Sequence, residues 1–170
     1  MLMTHSSVDA KARATPDYSY SKDPAALGKA IRTRGAHDVV HELFVADDPW
    51  VEILKNIHAG SSRWLDTALL LWRGSDAHAS EDLEYAIGAA LGENPEYVLR
   101  HMIPTFSLEA VCGGPSVDDV ESYRGAISLV ERSEVSVRRV NARGLRRRRD
   151  ECLKYLNEAR GHLKKFYGIE

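Results

Sequence analysis

An all-α protein is what this sequence predicts, and three observations carry the prediction. First, an Asp or Asn directly precedes proline three times, at Asp23-Pro24, Asp48-Pro49 and Asn94-Pro95, and each time an amphipathic run follows. A side-chain oxygen at the cap accepts from orphan backbone N–H groups, and proline fits the first helical position because no N–H is needed there. Second, apolar residues between these points recur at three- and four-residue steps, the spacing of one helical face. Third, no stretch alternates with period two for long enough to make a strand.

Each element can be justified in turn. Residues 24–34 place Ala26, Leu27, Ala30 and Ile31 on one side of a first helix, which Gly35 ends. A second helix over 37–46 buries Val39, Val40, Leu43 and Phe44. The third begins at Pro49 and uses Trp50, Ile53, Leu54 and Ile57 before Gly60. The fourth carries Trp64, Leu65, Ala68, Leu69 and Trp72 and stops at Gly74. Ser80 is expected to cap a fifth helix, with Glu81 and Asp82 well placed against its dipole and Leu83, Ala86, Ile87, Ala90 and Leu91 facing the core. Asn94-Pro95 opens a sixth, buried through Val98, Leu99 and Met102 and broken by Pro104.

A short helix at Ser107–Val111 runs into the turn Cys112-Gly113-Gly114-Pro115. Ser116 is expected to cap the next helix, through Val117, Val120, Tyr123, Ile127 and Val130. A last helix from Val137 to Tyr167 would bury Val140, Leu145, Cys152, Tyr155, Leu156, Ala159, Leu163 and Phe166. The expected architecture is an irregular stack of short antiparallel helix pairs, closed by a longer C-terminal helical hairpin. Residues 1–22 are polar and aperiodic and read as a mobile arm, leaving 23–170 as a single domain. Ala12-Arg13-Ala14 has the small-x-small form of a leader cleavage site, without an apolar stretch before it. No apolar run nears the ~18 residues that span a bilayer.

Charge is unevenly spread. From Arg138 to the C-terminus eleven Lys or Arg face four Asp or Glu, a balance of +7. The whole chain carries −2, so the rest carries −9. Such asymmetry steers charged partners.

The candidate chemistry is sparse. Cys112 and Cys152 are the two cysteines, one at a Gly-Gly-Pro turn and one on an apolar helical seam. A disulfide between them is the favoured reading and would suit an oxidising compartment. Two separate buried thiols are the other. His37 and His41 share a helical face at the spacing of zinc-protease ligands, with Asp38 where that motif has Glu. A third ligand would come from Glu42, His58 or His78, and a solvated polar face is the expected alternative to this metal hydrolase. Arg146–Arg149, with Arg138, Arg139 and Arg143, suggests a polyanion-binding module. Few aromatics interleave with the run to stack bases, so a solvated helix with salt bridges to the acidic body is expected, and nucleic acid is not the expected partner. No nucleophile–base pair, phosphate-cradling loop or divided carboxylate pair is present. The expectation is no enzyme, no cofactor and no metal.

The stretch from Trp50 to Pro115 resembles a group of small helical proteins exported by proteobacteria. The resemblance lies in Trp64-Leu65 and its Ala-Leu run, Gly74-Ser75-Asp76-Ala77 and Ser80-Glu81-Asp82-Leu83. It continues through Asn94-Pro95, Val98-Leu99-Arg100 and Val111-Cys112-Gly113-Gly114-Pro115, and Cys152 completes it. It implies a periplasmic protein with a cleaved leader; a chain that never carried one would be cytoplasmic. Some similar proteins are immunity proteins that block toxins delivered by secretion systems. The functional expectation is therefore an inhibitor of a basic secreted effector, with a helical scaffold as the nearest alternative. The expected partner surface is Trp72 as anchor with Asp76, His78, Glu81 and Glu84 around it.

Overall fold

A computed structural model describes residues 17–115 and 122–169. The fold is all-α: among the described residues there are nine α-helices and no strand. They are α1 (Pro24–Arg34), α2 (Ala36–Ala46), α3 (Asp48–His58), α4 (Ser62–Trp72), α5 (Ala77–Ala89), α6 (Pro95–Tyr97), α7 (Leu108–Cys112), α8 (Tyr123–Arg138) and α9 (Arg146–Phe166). One apolar core runs from Leu27 in α1 to Leu163 in α9. The packing that builds it sets α1 on α4, α3 on α5, α2 on α3 and α4, and α7 and α8 on α9. Among the described residues, no helix is long and apolar enough to cross a membrane.

The apolar stripes land where helical spacing puts them. Leu27, Ile31, Val39, Val40, Leu43, Trp50, Ile53, Ile57, Leu65, Leu83 and Ile87 are all buried. At roughly 25 cal/mol per Å² of apolar surface removed from water, each large side chain contributes about 1.5–3 kcal/mol. Phe166 departs from its expected place on the seam: it is 63 % exposed. It falls in the last turn of α9 beside the exposed Lys164 and Lys165, while Tyr167, four residues after Leu163, takes the place on the core.

The caps are less faithful to expectation. Asp23 behaves as read, its side chain accepting from Ala26 N at 2.8 Å. Asp48 is instead the first residue of α3 and Asp47 precedes it, without a side-chain cap bond. Asn94 does precede α6, but its amide donates to the Gly60 carbonyl at 2.9 Å, tying the end of α3 to the start of α6. Ser80 lies inside α5; Asp76 is the cap, accepting from Ala79 N at 3.1 Å. The expected sixth helix is three α-helical residues followed by one turn of π-helix, Val98–Met102. The expected last helix is divided as well. α8 ends at Arg138, a 3-10 turn occupies Arg143–Leu145, and α9 starts at Arg146. Ser122 caps α8 through Gly125 N, while Ser116, Val117 and Val120 lie outside the described residues.

The described end of the expected N-terminal arm packs on the body. Ser19–Lys22 form a 3-10 turn with Ser21 buried, and Tyr18 and Tyr20 pack against the core. Residues 1–16, including Ala12-Arg13-Ala14, lie outside the described residues. Tyr20 donates its hydroxyl to Glu42 at 2.9 Å, and Arg34 pairs with the same carboxylate. Burial first, and then the bond to Glu42, push the Tyr20 phenol up to about 12. Between its ordinary value near 10 and that value, the folded chain holds a proton that the unfolded chain has released, so stability should fall as pH rises through this window. Tyr20→Phe should remove one late-ionising phenol from a spectrophotometric titration and flatten this pH dependence. An unchanged titration curve would refute the assignment.

Candidate functional site

The loop from Gly74 to Ala79 and the first turns of α5 form the candidate surface. α4 delivers the chain to this loop, and Trp72 is its last residue. The Trp72 ring is only partly covered and meets the buried Phe106 edge-on, with centroids 4.5 Å apart. That contact ties Trp72 to the core and leaves part of the indole at the surface. Gly74 follows, seated on the first turn of α2. A Cβ there would stand 2.2 Å from the Ala36 carbonyl carbon and 2.3 Å from His37 N. The first turn of α2 is thereby brought against the loop, a juxtaposition the sequence does not announce.

Side chains fix the loop's shape. The Ser75 hydroxyl donates to the Trp72 carbonyl at 2.9 Å and shares a hydrogen bond with the Ser80 hydroxyl at 2.6 Å. Asp76 is spent in part on its cap bond, which neutralises an orphan N–H at the helix start. Asp82 is taken inward: it accepts from the indole N–H of Trp50 at 2.8 Å, joining α5 to α3. The groups left facing solvent are Asp76, His78 and Glu81, with Glu84 half-buried beside them. Burial, and secondarily the charge of Glu81, raise the Glu84 carboxyl above the ordinary carboxylate range. Among the described residues, no cation pairs with Asp76, Glu81 or Glu84. This edge is therefore anionic, and two of its acids repel each other.

The alternative centres fare differently. His37 and His41 are exposed, with rings stacked at 6.3 Å between centroids, and His37 Nδ1 lies 3.4 Å from Asp38. Glu42, one nominal third ligand, is occupied by Arg34 and Tyr20. Among the described residues, no group of three or more His, Cys, Asp or Glu gathers in a way that would hold a metal ion. Cys112 and Cys152 are joined as a disulfide linking α7 to α9, both fully buried, which is compatible with an oxidising compartment.

The arginine run divides in a way that sequence reasoning missed. Arg148 donates to the carbonyls of Leu99 and Arg100 at 2.9 and 3.3 Å, in the π-helical turn. Arg149 donates to the Val140 carbonyl at 3.2 Å and pairs with Asp150 at 2.7 Å. Among the described residues, Arg149 is the one member of the run Arg146–Arg149 with a salt bridge, and its carboxylate is the next residue in the chain rather than one from the acidic body. A further arginine, Arg160, reaches the buried Glu134 at 3.1 Å and holds α9 to α8. Comparison with protein-family models, curated proteins and solved structures returns no match.

Proposed function

We propose that this protein is a periplasmic inhibitor that binds and neutralises a basic secreted effector. The observation that carries this reading is the anionic edge of α5. Among the described residues no cation pairs with Asp76, Glu81 or Glu84 in the first turns of α5, and burial, with the charge of Glu81 second, raises Glu84. A cationic partner surface would relieve that repulsion, and complementary charge would speed encounter. Affinity would rest on a few buried anchors. Trp72, part-exposed on a firm aromatic base, is the nearest candidate in the chain. His78 sits on the same exposed segment and adds a polar contact at the rim. The disulfide, which suits an oxidising compartment, and the resemblance of the Trp50–Pro115 stretch to exported helical proteins support that location.

The test is recovery of the partner from native periplasm, followed by assay of its toxicity with and without this protein. Wild-type protein in excess should abolish toxicity. The double variant Glu81→Lys/Glu84→Lys, with an unchanged circular dichroism spectrum, should lose at least tenfold in affinity, since charged contacts at an interface contribute roughly 1.5 kcal/mol or more each. A toxic partner that stays equally active in excess protein would leave a scaffold as the surviving function.

A further inference from the structure

We propose that the corner between α8 and α9 is a docking surface for the phosphate backbone of duplex nucleic acid, held by Arg139, Arg143, Arg146 and Arg147. Residues 138–149 contain seven arginines and no acidic residue. Three of the seven have partners within the protein. Arg148 and Arg149 bond backbone carbonyls, and Arg138 approaches Glu134 at 3.9 Å. The other four are exposed, and among the described residues they have neither an ion pair nor a hydrogen bond.

Folding does not call for all of these charges. Arg139 sits at the C-terminal end of α8, where a cation suits the helix dipole. Arg146 and Arg147 are the first two residues of a 21-residue helix that has no acid in its first turn. Cations there oppose the helix dipole, so they cost stability rather than adding it. Meanwhile Arg148 and Arg149 bond the carbonyls of Leu99 and Val140, which fixes the backbone from which Arg146 and Arg147 project.

The chemistry of the patch selects its occupant. Every cation in it is arginine, whose planar fork matches phosphate oxygens in pairs. No Phe, Tyr or Trp lies within 138–149 to interleave with the arginines as a stacking platform, and a duplex is favoured over a single strand. A membrane surface is disfavoured because the exposed apolar side chain near the corner is the small Val135, whereas Phe166 and Ile169, exposed at the other end of α9, lie about 30 Å away along the helix. Contacts confined to phosphates would make the binding indifferent to sequence.

The experiment is fluorescence anisotropy of the full chain with a labelled mixed-sequence 20-base-pair duplex over a salt series. Four phosphate contacts predict a log–log salt slope of about −3.6, and thus about a hundredfold loss of affinity between 50 and 200 mM salt. The variant Arg143→Gln/Arg146→Gln/Arg147→Gln should reduce that slope to about −0.9 and weaken binding at least tenfold at low salt. Lys154→Gln/Lys164→Gln, which removes charge from α9 outside the corner, should bind within about threefold of wild type. Thermal unfolding of each variant verifies that it is folded. The proposal is overturned if wild type binds the duplex no better than a neutral polymer, or if the arginine variant binds as wild type does. Tighter binding to single strands or to vesicles of anionic phospholipid than to the duplex overturns it equally.

Discussion

Removing the disulfide, by Cys112→Ala/Cys152→Ala or by reduction, should lower unfolding free energy by about 4 kcal/mol. The bridge joins residues 40 apart. In the chain-entropy account, closing a loop of that length removes roughly this much conformational freedom from the unfolded chain. The consequence in the folded state is local. α7 has only five residues, too few for an isolated helix to persist in water. It stays in place by packing Val111 and Cys112 into the core and by its bond to α9. It also packs on α5, which carries the anionic edge. A loss of that size should lower the melting temperature by about 8–16 °C in a chain of this length. The measurement is thermal unfolding of wild type with and without reductant, beside the double-alanine variant. Because both sulfurs are fully buried, reduction of the native protein should be slow and should follow opening of the α7–α9 contact. Matching melting temperatures in all three samples would contradict the stabilising role.

What the sequence made legible was which faces are buried, and the reason is the regularity of the helix. Val39, Val40 and Leu43 fall within one arc because 3.6 residues make a turn, whatever lies opposite. The helix ends were harder because several adjacent residues can each supply a capping oxygen. Asp76 and Ser80 both precede apolar positions of α5, and the competition was decided by the Ser75–Ser80 hydroxyl pair, which engages Ser80 elsewhere. The single long C-terminal helix failed for a related reason. Apolar spacing continues from Val137 to Leu145, yet Val140 and Leu145 are buried from a turn rather than from a helix. Long-range polar contacts were not legible at all. Trp50 and Asp82 lie 32 residues apart and Arg148 and Leu99 lie 49 apart. No local pattern couples such pairs. At the candidate site, the acidic edge could be read from composition and helix position. The half-covered state of Trp72 and the approach of α2 could not.

Gly74→Ala should destabilise the fold by about 3 kcal/mol, an effect whose cause lies in that approach. Gly74 looks in the sequence like an ordinary helix stop, which would make alanine an inexpensive change. Its backbone is not in the left-handed region, so glycine is not required for conformational reasons. The requirement is steric. The added methyl would stand 2.2, 2.3 and 2.6 Å from the carbonyl carbon of Ala36, the nitrogen of His37 and the oxygen of Ala36. All three are backbone atoms of the first turn of α2, so no side chain can rotate away. Carbon atoms in contact sit about 3.5–4.0 Å apart, so α2 and the end of α4 would have to separate by more than 1 Å. Overpacking of this kind costs typically 1–3 kcal/mol, and a helix backbone that must move as a unit places this case at the upper end. Gly144→Ala supplies the matched control. Nothing lies within 4 Å of a Cβ there, and its φ is not positive. It should be neutral or stabilising by up to about 1 kcal/mol, through the lower entropy of the unfolded chain. Urea unfolding of both variants separates the two causes: a Gly74→Ala loss below about 0.5 kcal/mol would mean that α2 yields freely, and that the loop is not braced against it.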